Sequence, residues 1–225
     1  MIKHPITIAG LLLAMFAVVG VGLVAFTHQA TEPQIKENER LALLNSLNAL
    51  VPAESIDNDI VTDLIVVSDE EKLGTAETTV YLGRKAHRPV AAVFTSIVPD
   101  GYSGQIKLLV AIQADGILGG VRVVSHKETP GLGDKVEVEK SDWIHSFQGK
   151  SLGNPDLAKW KVKRDGGVFD QFSGATITPR SIVKAVKNTL LYYQENSKSL
   201  FIAKAASAKT EGQMVKAGPK TESGK

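Results

Sequence analysis

The sequence predicts an α+β protein: a single N-terminal transmembrane helix, then one mainly antiparallel-sheet domain with flanking helices. Three observations predict it. Pro5 to Phe26 is an uncharged apolar run; five short runs between Val61 and Ser125 are rich in β-branched residues; and Ile182, Val186, Thr189, Leu190 and Tyr193 recur at helical spacing. With 225 residues and 43 % hydrophobic content there is material for one core plus appendages, and neither an internal repeat nor a second core is visible.

The uncharged run, at about 1.5 Å of rise per residue, is long enough to cross a hydrocarbon core of roughly 30 Å. It exceeds a signal-peptide apolar region and is followed by Phe26, Thr27, His28 and Gln29 rather than a small-residue cleavage site, so it reads as a retained anchor. Gly10, Gly20 and Gly22 would weaken a helix in water but are common in membranes. Lys3 and the terminal amine precede the span, so the N-terminus is expected in the cytoplasm and everything after Phe26 in a bacterial periplasm, making this a single-pass inner-membrane protein.

After the span, Ile35, Leu41, Leu44, Leu47, Leu50 and Val51 approach helical spacing until Pro52, which predicts a stalk helix. The runs VTDLIVVS, TTVYLG, VAAVFTSIV, IKLLVAIQ and ILGGVRVVS are predicted strands. In the fourth, Ile106, Leu108, Val110 and Ile112 form an apolar row, and the mixed row Lys107, Leu109, Ala111 and Gln113 predicts a partly covered second face. Asp115-Gly116 suits a tight hairpin turn to the fifth run. The last long helix is expected to start with Thr178 as N-cap and Pro179 as first helical residue. The boundaries expected are 1–5 cytoplasmic, 6–26 membrane span, 27–52 stalk helix, 53–200 exported domain and 201–225 a flexible tail, which is poor in large apolar residues.

Composition narrows the chemistry. The chain has 26 Lys and Arg against 24 Asp and Glu, too even a balance for nucleic-acid binding. It has no Cys, which excludes disulfides, cysteine nucleophiles, iron–sulfur clusters and thiolate zinc sites, so any redox chemistry has to come from a bound group. Twelve of the 20 glycines lie between Gly101 and Gly174, the region where a site is expected.

Three loops there stand out. Asp170-Gln171-Phe172-Ser173-Gly174-Ala175-Thr176-Ile177-Thr178-Pro179 is a hydroxyl-rich turn feeding a helix N-terminus, where free N–H groups and the helix dipole favour a phosphate; a plain capped helix start is the competing reading. It has neither a Walker-A lysine nor the three-glycine dinucleotide pattern. His126-Lys127-Glu128-Thr129-Pro130-Gly131-Leu132-Gly133 follows a strand, and its backbone can approach a flat ligand. His126 and Glu128 share the spacing of one strand face; a metal reading has no third ligand behind it, and a polar pair meeting water or loop backbone is preferred. Asp100-Gly101-Tyr102-Ser103-Gly104 in isolation is an ordinary turn with a half-buried Tyr102, although it can also present that ring as a platform. Trp143, Trp160, Tyr192 and Tyr193 are expected to be packing residues.

Taken together, in this order and behind one N-terminal span, the three loops resemble the membrane-anchored FMN-binding domain family, and within it the G subunits of the Rnf (also Rsx) ion-translocating electron transport complexes. The resemblance runs from the span to about Glu195. The C subunits of sodium-translocating NADH:quinone oxidoreductases share the motifs on a longer chain. The resemblance implies FMN held covalently through a phosphodiester to Thr176, with Asp170, Ser173, Gly174 and Ala175 matching the motif read by a flavin transferase and Gln171 standing where Gly is common. The turn itself places Ser173, Thr176 and Thr178 where each can touch a phosphate at the helix mouth. The resemblance also implies that Glu128, Thr129 and Leu132 lie against the isoalloxazine. The chain would then be a non-autonomous flavoprotein component relaying electrons coupled to ion translocation, with the rest of the Rnf complex and the membrane as partners. No activating base can be named beside Thr176, so self-attachment is not expected. The competing class is a cofactor-free single-span adaptor.

Overall fold

In the computed structural model the backbone is described for residues 3–216 and side chains for residues 7–202. The order is α1 (Lys3–Leu50), β1 (Leu64–Val67), α2 (Glu70–Leu73), β2 (Thr78–Lys85), β3 (Arg88–Val98), β4 (Ile106–Gln113), β5 (Leu118–Ser125) and α3 (Ile177–Lys216), with short 3₁₀ helices in the connection between β5 and α3. All five predicted strands form. Contacts divide the chain into two units, Met1–Asn45 and Ser46–Lys225.

The first unit is helical from Lys3 onward. α1 continues through Pro33 rather than pausing between a span and a stalk, because a proline removes a single N–H from the ladder and the neighbouring turns persist. Leu11, Phe16, Val18, Val21 and Phe26 are exposed. The helix is long and apolar enough to cross a membrane.

The second unit is an antiparallel meander with strand order β1-β2-β3-β4-β5. Period-two alternation decides which side chains face inward. Ile106, Leu108, Val110 and Ile112 of β4, with Ala92, Phe94 and Val98 of β3, are buried in the main core. α3 covers this face with Ile182, Val183, Val186, Leu190, Tyr192 and Tyr193. Phe94 meets Tyr192 and Tyr193 edge to face, at centroid distances of 5.9 and 6.3 Å. A polar contact crosses the same layer, Ser96 to Thr189, hydroxyl to hydroxyl at 2.9 Å. On the opposite face Leu109 and Ala111 are buried while Lys107 and Gln113 are exposed, the partial cover that the mixed row predicts. Leu47, Leu50 and Val51 are buried too, and Leu50 lies so close over β5 that a Cβ at Gly120 would meet its Cδ2 at 2.9 Å.

Beyond β5 the chain builds an aromatic flank before reaching α3. Trp143, Phe147, Trp160, Phe169 and Phe172 are buried, with Phe147 stacked on Phe169 at 4.7 Å. Trp143 and Trp160, like Tyr192 and Tyr193, are core packing residues.

α3 begins at Ile177, so Thr178 lies inside its first turn and does not cap it. Its hydroxyl is drawn instead to a tertiary partner, Glu128. The helix continues past Leu200 and Phe201, both buried. Of the expected flexible tail, residues 217–225 lie outside the described residues, as do the side chains of 203–216.

Candidate functional site

The meander brings the three loops to one end of the sheet. β3 ends and β4 begins at the pair Val98 and Ile106, so the turn carrying Gly101 and Tyr102 lies there. Lys107 of β4 pairs with Ser125, the last residue of β5, so the loop starting at His126 leaves from the same end. The mouth of α3 is drawn to this end by Asp100: Ser181 donates its hydroxyl to the Asp100 carbonyl at 2.6 Å, and Lys184 pairs with the Asp100 carboxylate at 3.1 Å.

Between the loops is a cleft of about 330 Å³ lined by Tyr102, Glu128, Thr129, Leu132, Gly174 and Thr176, with Gly133, Ala175 and Ile177 completing it. Its rim is apolar and open: Tyr102 is 67 % exposed, Leu132 42 % and Ile177 45 %. The expectation of a half-buried Tyr102 is therefore corrected. Tyr102 lines the cleft and stays largely exposed.

The turn before α3 is held from behind. Trp143 donates its indole N–H to the Asp170 carbonyl at 2.8 Å and meets Phe172 edge to face at 5.2 Å. Ala175 N–H returns to the Phe172 carbonyl at 3.2 Å. Gly174 takes φ +82°, a conformation that side chains disfavour, and a Cβ there would touch Leu132 Cδ2 at 3.4 Å. Thr176 then sits immediately before α3, and among the described residues no protein group accepts a hydrogen bond from its hydroxyl. The N–H groups of Thr176, Ile177 and Thr178 belong to the unpaired start of the helix, Pro179 having none, so the dipole and free donors favour an anion beside Thr176. Arg180 is held by Asp165 through two contacts of 2.6 Å, and hydrogen bonding from Arg180 keeps the Asp165 carboxyl below the usual carboxylate range.

Glu128 lines the cleft yet is only 5 % exposed. Its Oε1 accepts the Ser103 N–H at 3.0 Å, its Oε2 accepts the Thr178 hydroxyl, and its own N–H donates to His126 Nδ1 at 3.0 Å. Because Nδ1 accepts, the proton of a neutral His126 is on Nε2, which faces Glu137 Oε1 at 2.6 Å. His126 thus meets loop backbone on one side and a carboxylate on the other. Among the described residues no group of three or more His, Asp or Glu side chains is placed to hold a metal ion.

Of the residues singled out in the sequence, Thr176, Gly174, Ala175, Glu128, Thr129 and Leu132 come together in the cleft. Thr178 is fully buried behind it. Asp170 and Ser173 are exposed on the approach, with Asp170 paired to Lys163 at 2.6 Å. Ser103, Gly101 and Gly133 lay in the loops singled out in the sequence, but no individual role was assigned to them there. The two glycines matter because Cβ atoms there would meet Glu128 oxygens at 3.0 and 2.8 Å. The clustering of glycines in this region was the signal that pointed to them.

Known proteins share these features. Residues 101–191 match the family model described as FMN-binding domain, and residues 1–50 match the one described as RnfG N-terminal region. The chain is 46 % identical over 200 residues to the G subunit of an ion-translocating oxidoreductase complex from Shewanella baltica, covering 88 % of this chain and 94 % of that relative. It is 48 % identical over 197 residues to the protein of the same description from Pseudomonas aeruginosa, covering 87 % and 92 %. A third, from Vibrio atlanticus, is 47 % identical over 192 residues, covering 85 % and 91 %.

Proposed function

The chain belongs to the family of G subunits of ion-translocating oxidoreductase complexes, and from that premise we propose that it is a membrane-anchored electron-transport component carrying one FMN bound covalently through a phosphodiester to Thr176. The observation that carries the attachment point is Thr176: it lines an open-rimmed cleft, lies at the positive end of α3, and among the described residues no group accepts a hydrogen bond from its hydroxyl.

The residues present fit such a group. The first-turn N–H groups of α3 would bind the phosphate, and Gly174 lets the turn pass close beneath Leu132. Tyr102, Leu132 and Ile177 offer apolar surface to a flat ring, and the loop of Glu128 and Thr129 forms the wall beside it. Bound there, the flavin supplies the electron-accepting and electron-donating chemistry that no side chain of this chain provides. The exposure of Tyr102, Leu132 and Ile177 at the rim would keep a group held there within reach of electron-transfer neighbours. The exposed Asp170 and Ser173 are accessible to a flavin transferase, consistent with attachment by a separate enzyme.

In this reading α1 anchors the chain in the inner membrane with its N-terminus cytoplasmic, the domain of residues 53–200 is periplasmic, and the partners are the other membrane subunits of the complex. Electron relay through the domain is coupled to ion translocation by the assembly. The test is intact mass and peptide mapping of the full chain produced with a functional transferase. One FMN, less water, is expected on the peptide bearing Thr176, and Thr176→Ala is expected to abolish it. Covalent flavin retained by the variant, or an unmodified wild-type peptide, overturns the assignment.

A further inference from the structure

Glu128 is wrapped in a way that a carboxylate placed to attract a ligand would not be. It receives the Ser103 N–H from the first loop and the Thr178 hydroxyl from the first turn of α3, so one side chain joins all three loops of the cleft. The carboxylate fills space that two glycines leave free: a Cβ at Gly101 would lie 3.0 Å from Oε1, and one at Gly133 would lie 2.8 Å from Oε2 and 2.9 Å from Cβ of Glu128. Its backbone is held as well, through His126 to Glu137.

We propose that Glu128 is a positioning residue, a clamp whose carboxylate fixes the separation between the Tyr102 turn and the start of α3, and thereby the place of Thr176, without acting on the bound group itself. The functional consequence rests on the flavin reading above; the structural content does not. Thr178 is the other half of the clamp. It is fully buried, is not part of the cleft lining, and follows Thr176 by two residues on the same backbone. Removing its hydroxyl should therefore imitate removing the carboxylate. Charge is dispensable in a clamp: a glutamine at 128 offers its amide oxygen to the Ser103 N–H and its amide N–H to the Thr178 oxygen, whose own hydroxyl is free to turn.

The test uses the full chain in detergent as Glu128→Gln, Glu128→Ala, Thr178→Ser and Thr178→Val, each made with and without the transferase. Without it, hydrogen exchange of the Ser103 amide is measured; with it, the rate of flavin attachment. Glu128→Ala is expected to speed Ser103 exchange by about tenfold or more, as loss of a bond to a charged acceptor implies, and Glu128→Gln to restore most of the protection. Attachment is expected to slow by about tenfold in both Glu128→Ala and Thr178→Val, with the double variant no slower than either single one, because residues acting as one unit are not additive. Thr178→Ser and Glu128→Gln are expected to rescue it.

Two results overturn the proposal. One is Thr178→Val attaching flavin at the wild-type rate. The other is Glu128→Gln matching Glu128→Ala, in attachment or in a shifted flavin potential, which would make the charge itself the active feature. Should Glu128→Ala fail to fold, the Gln, Ser and Val variants still decide. If even the wild type takes no flavin, the functional reading fails, and Ser103 exchange still tests the clamp.

Discussion

Gly133→Ala isolates the packing around the clamp. Gly133 has no left-handed backbone to protect, so alanine is conformationally acceptable there. Its effect on the unfolded chain alone would stabilise by about 0.4–1 kcal/mol. The new methyl, however, would lie 2.8 Å from Glu128 Oε2, 2.9 Å from Glu128 Cβ and 3.2 Å from Thr178 Oγ1. Two of these distances are shorter than non-bonded atoms tolerate, so either the backbone or Glu128 must move. If the backbone shifts, overpacking costs about 1–3 kcal/mol. If Glu128 swings out, it gives up hydrogen bonds to a charged group worth about 1.5–3 kcal/mol each. At mid-range, overpacking of about 2 kcal/mol less an entropic gain of about 0.7 kcal/mol leaves about 1.3 kcal/mol of destabilisation. At roughly 2–4 °C per kcal/mol for a domain of this size, Tm falls by about 3–5 °C.

Both tryptophans of the chain, Trp143 and Trp160, are buried in the unit that starts at Ser46, so tryptophan fluorescence of the full chain in detergent follows this domain's unfolding. Gly131→Ala in the same loop is the control. It meets no atom within 4 Å, and its φ of +79° makes any loss one of backbone strain. The distinguishing signature is the second-site response: Glu128→Gln, which keeps the bulk, should leave the Gly133→Ala penalty in place, whereas Glu128→Ala, which removes the Oε2 contact and keeps only that of Cβ, should reduce it in part. A Gly133→Ala protein as stable as wild type, or more stable, refutes the enclosed carboxylate.

The remaining expectations concern the core. Phe94→Ala removes a ring packed edge-on by Tyr192 and Tyr193 and should cost about 3–5 kcal/mol, read as a fall in Tm by the same fluorescence assay. Tyr81, Tyr192 and Tyr193 have their hydroxyl pKa values raised above 10.0, in each case first by burial. A group whose folded pKa is raised contributes stability that is present below its unfolded value and lost as pH rises through the folded one, so these tyrosines weaken the fold only above about pH 10. Absorbance at the tyrosinate band should show them ionising above that value in the native protein, and later than in denaturant.

Much of this was legible in the residues because it depends on local periodicity. The β4 row of Ile106, Leu108, Val110 and Ile112 alternates, and that alternation alone assigns it to the core; the mixed row beside it foretold a second face covered only at Leu109 and Ala111. The start of α3 was less legible. Thr178 followed by Pro179 carries the local marks of a cap, but the hydroxyl goes to Glu128, 50 residues earlier in the chain, and no local rule contains that partner. Tyr102 was misjudged for the same reason: a turn of five residues says what conformation it takes, not which other turn will stand next to it. Gly101 and Gly133 were visible as glycines, but the buried carboxylate that requires them was not.

That a cleft exists at all follows from topology more than from any single residue. In an antiparallel meander every second connection emerges at the same end, so the β3–β4 turn and the segment leaving β5 had to be neighbours once the strands paired in sequence order. The free variable is the direction and height of α3 across the sheet. Lys184 and Asp100 mark its position but are too exposed to set it, since such pairs are worth little in water. Ile182, Val186 and Leu190, buried against β3 and β4, fix the helix through apolar area, and Ser181 donating to the Asp100 carbonyl settles the final register. Sliding α3 by one turn would move its mouth about 5.4 Å, carrying Thr176 away from Leu132 and Thr178 away from Glu128. The hydrophobic stripe of the helix and the carboxylate clamp therefore have to agree on one register, the one in which Thr176 lines the cleft.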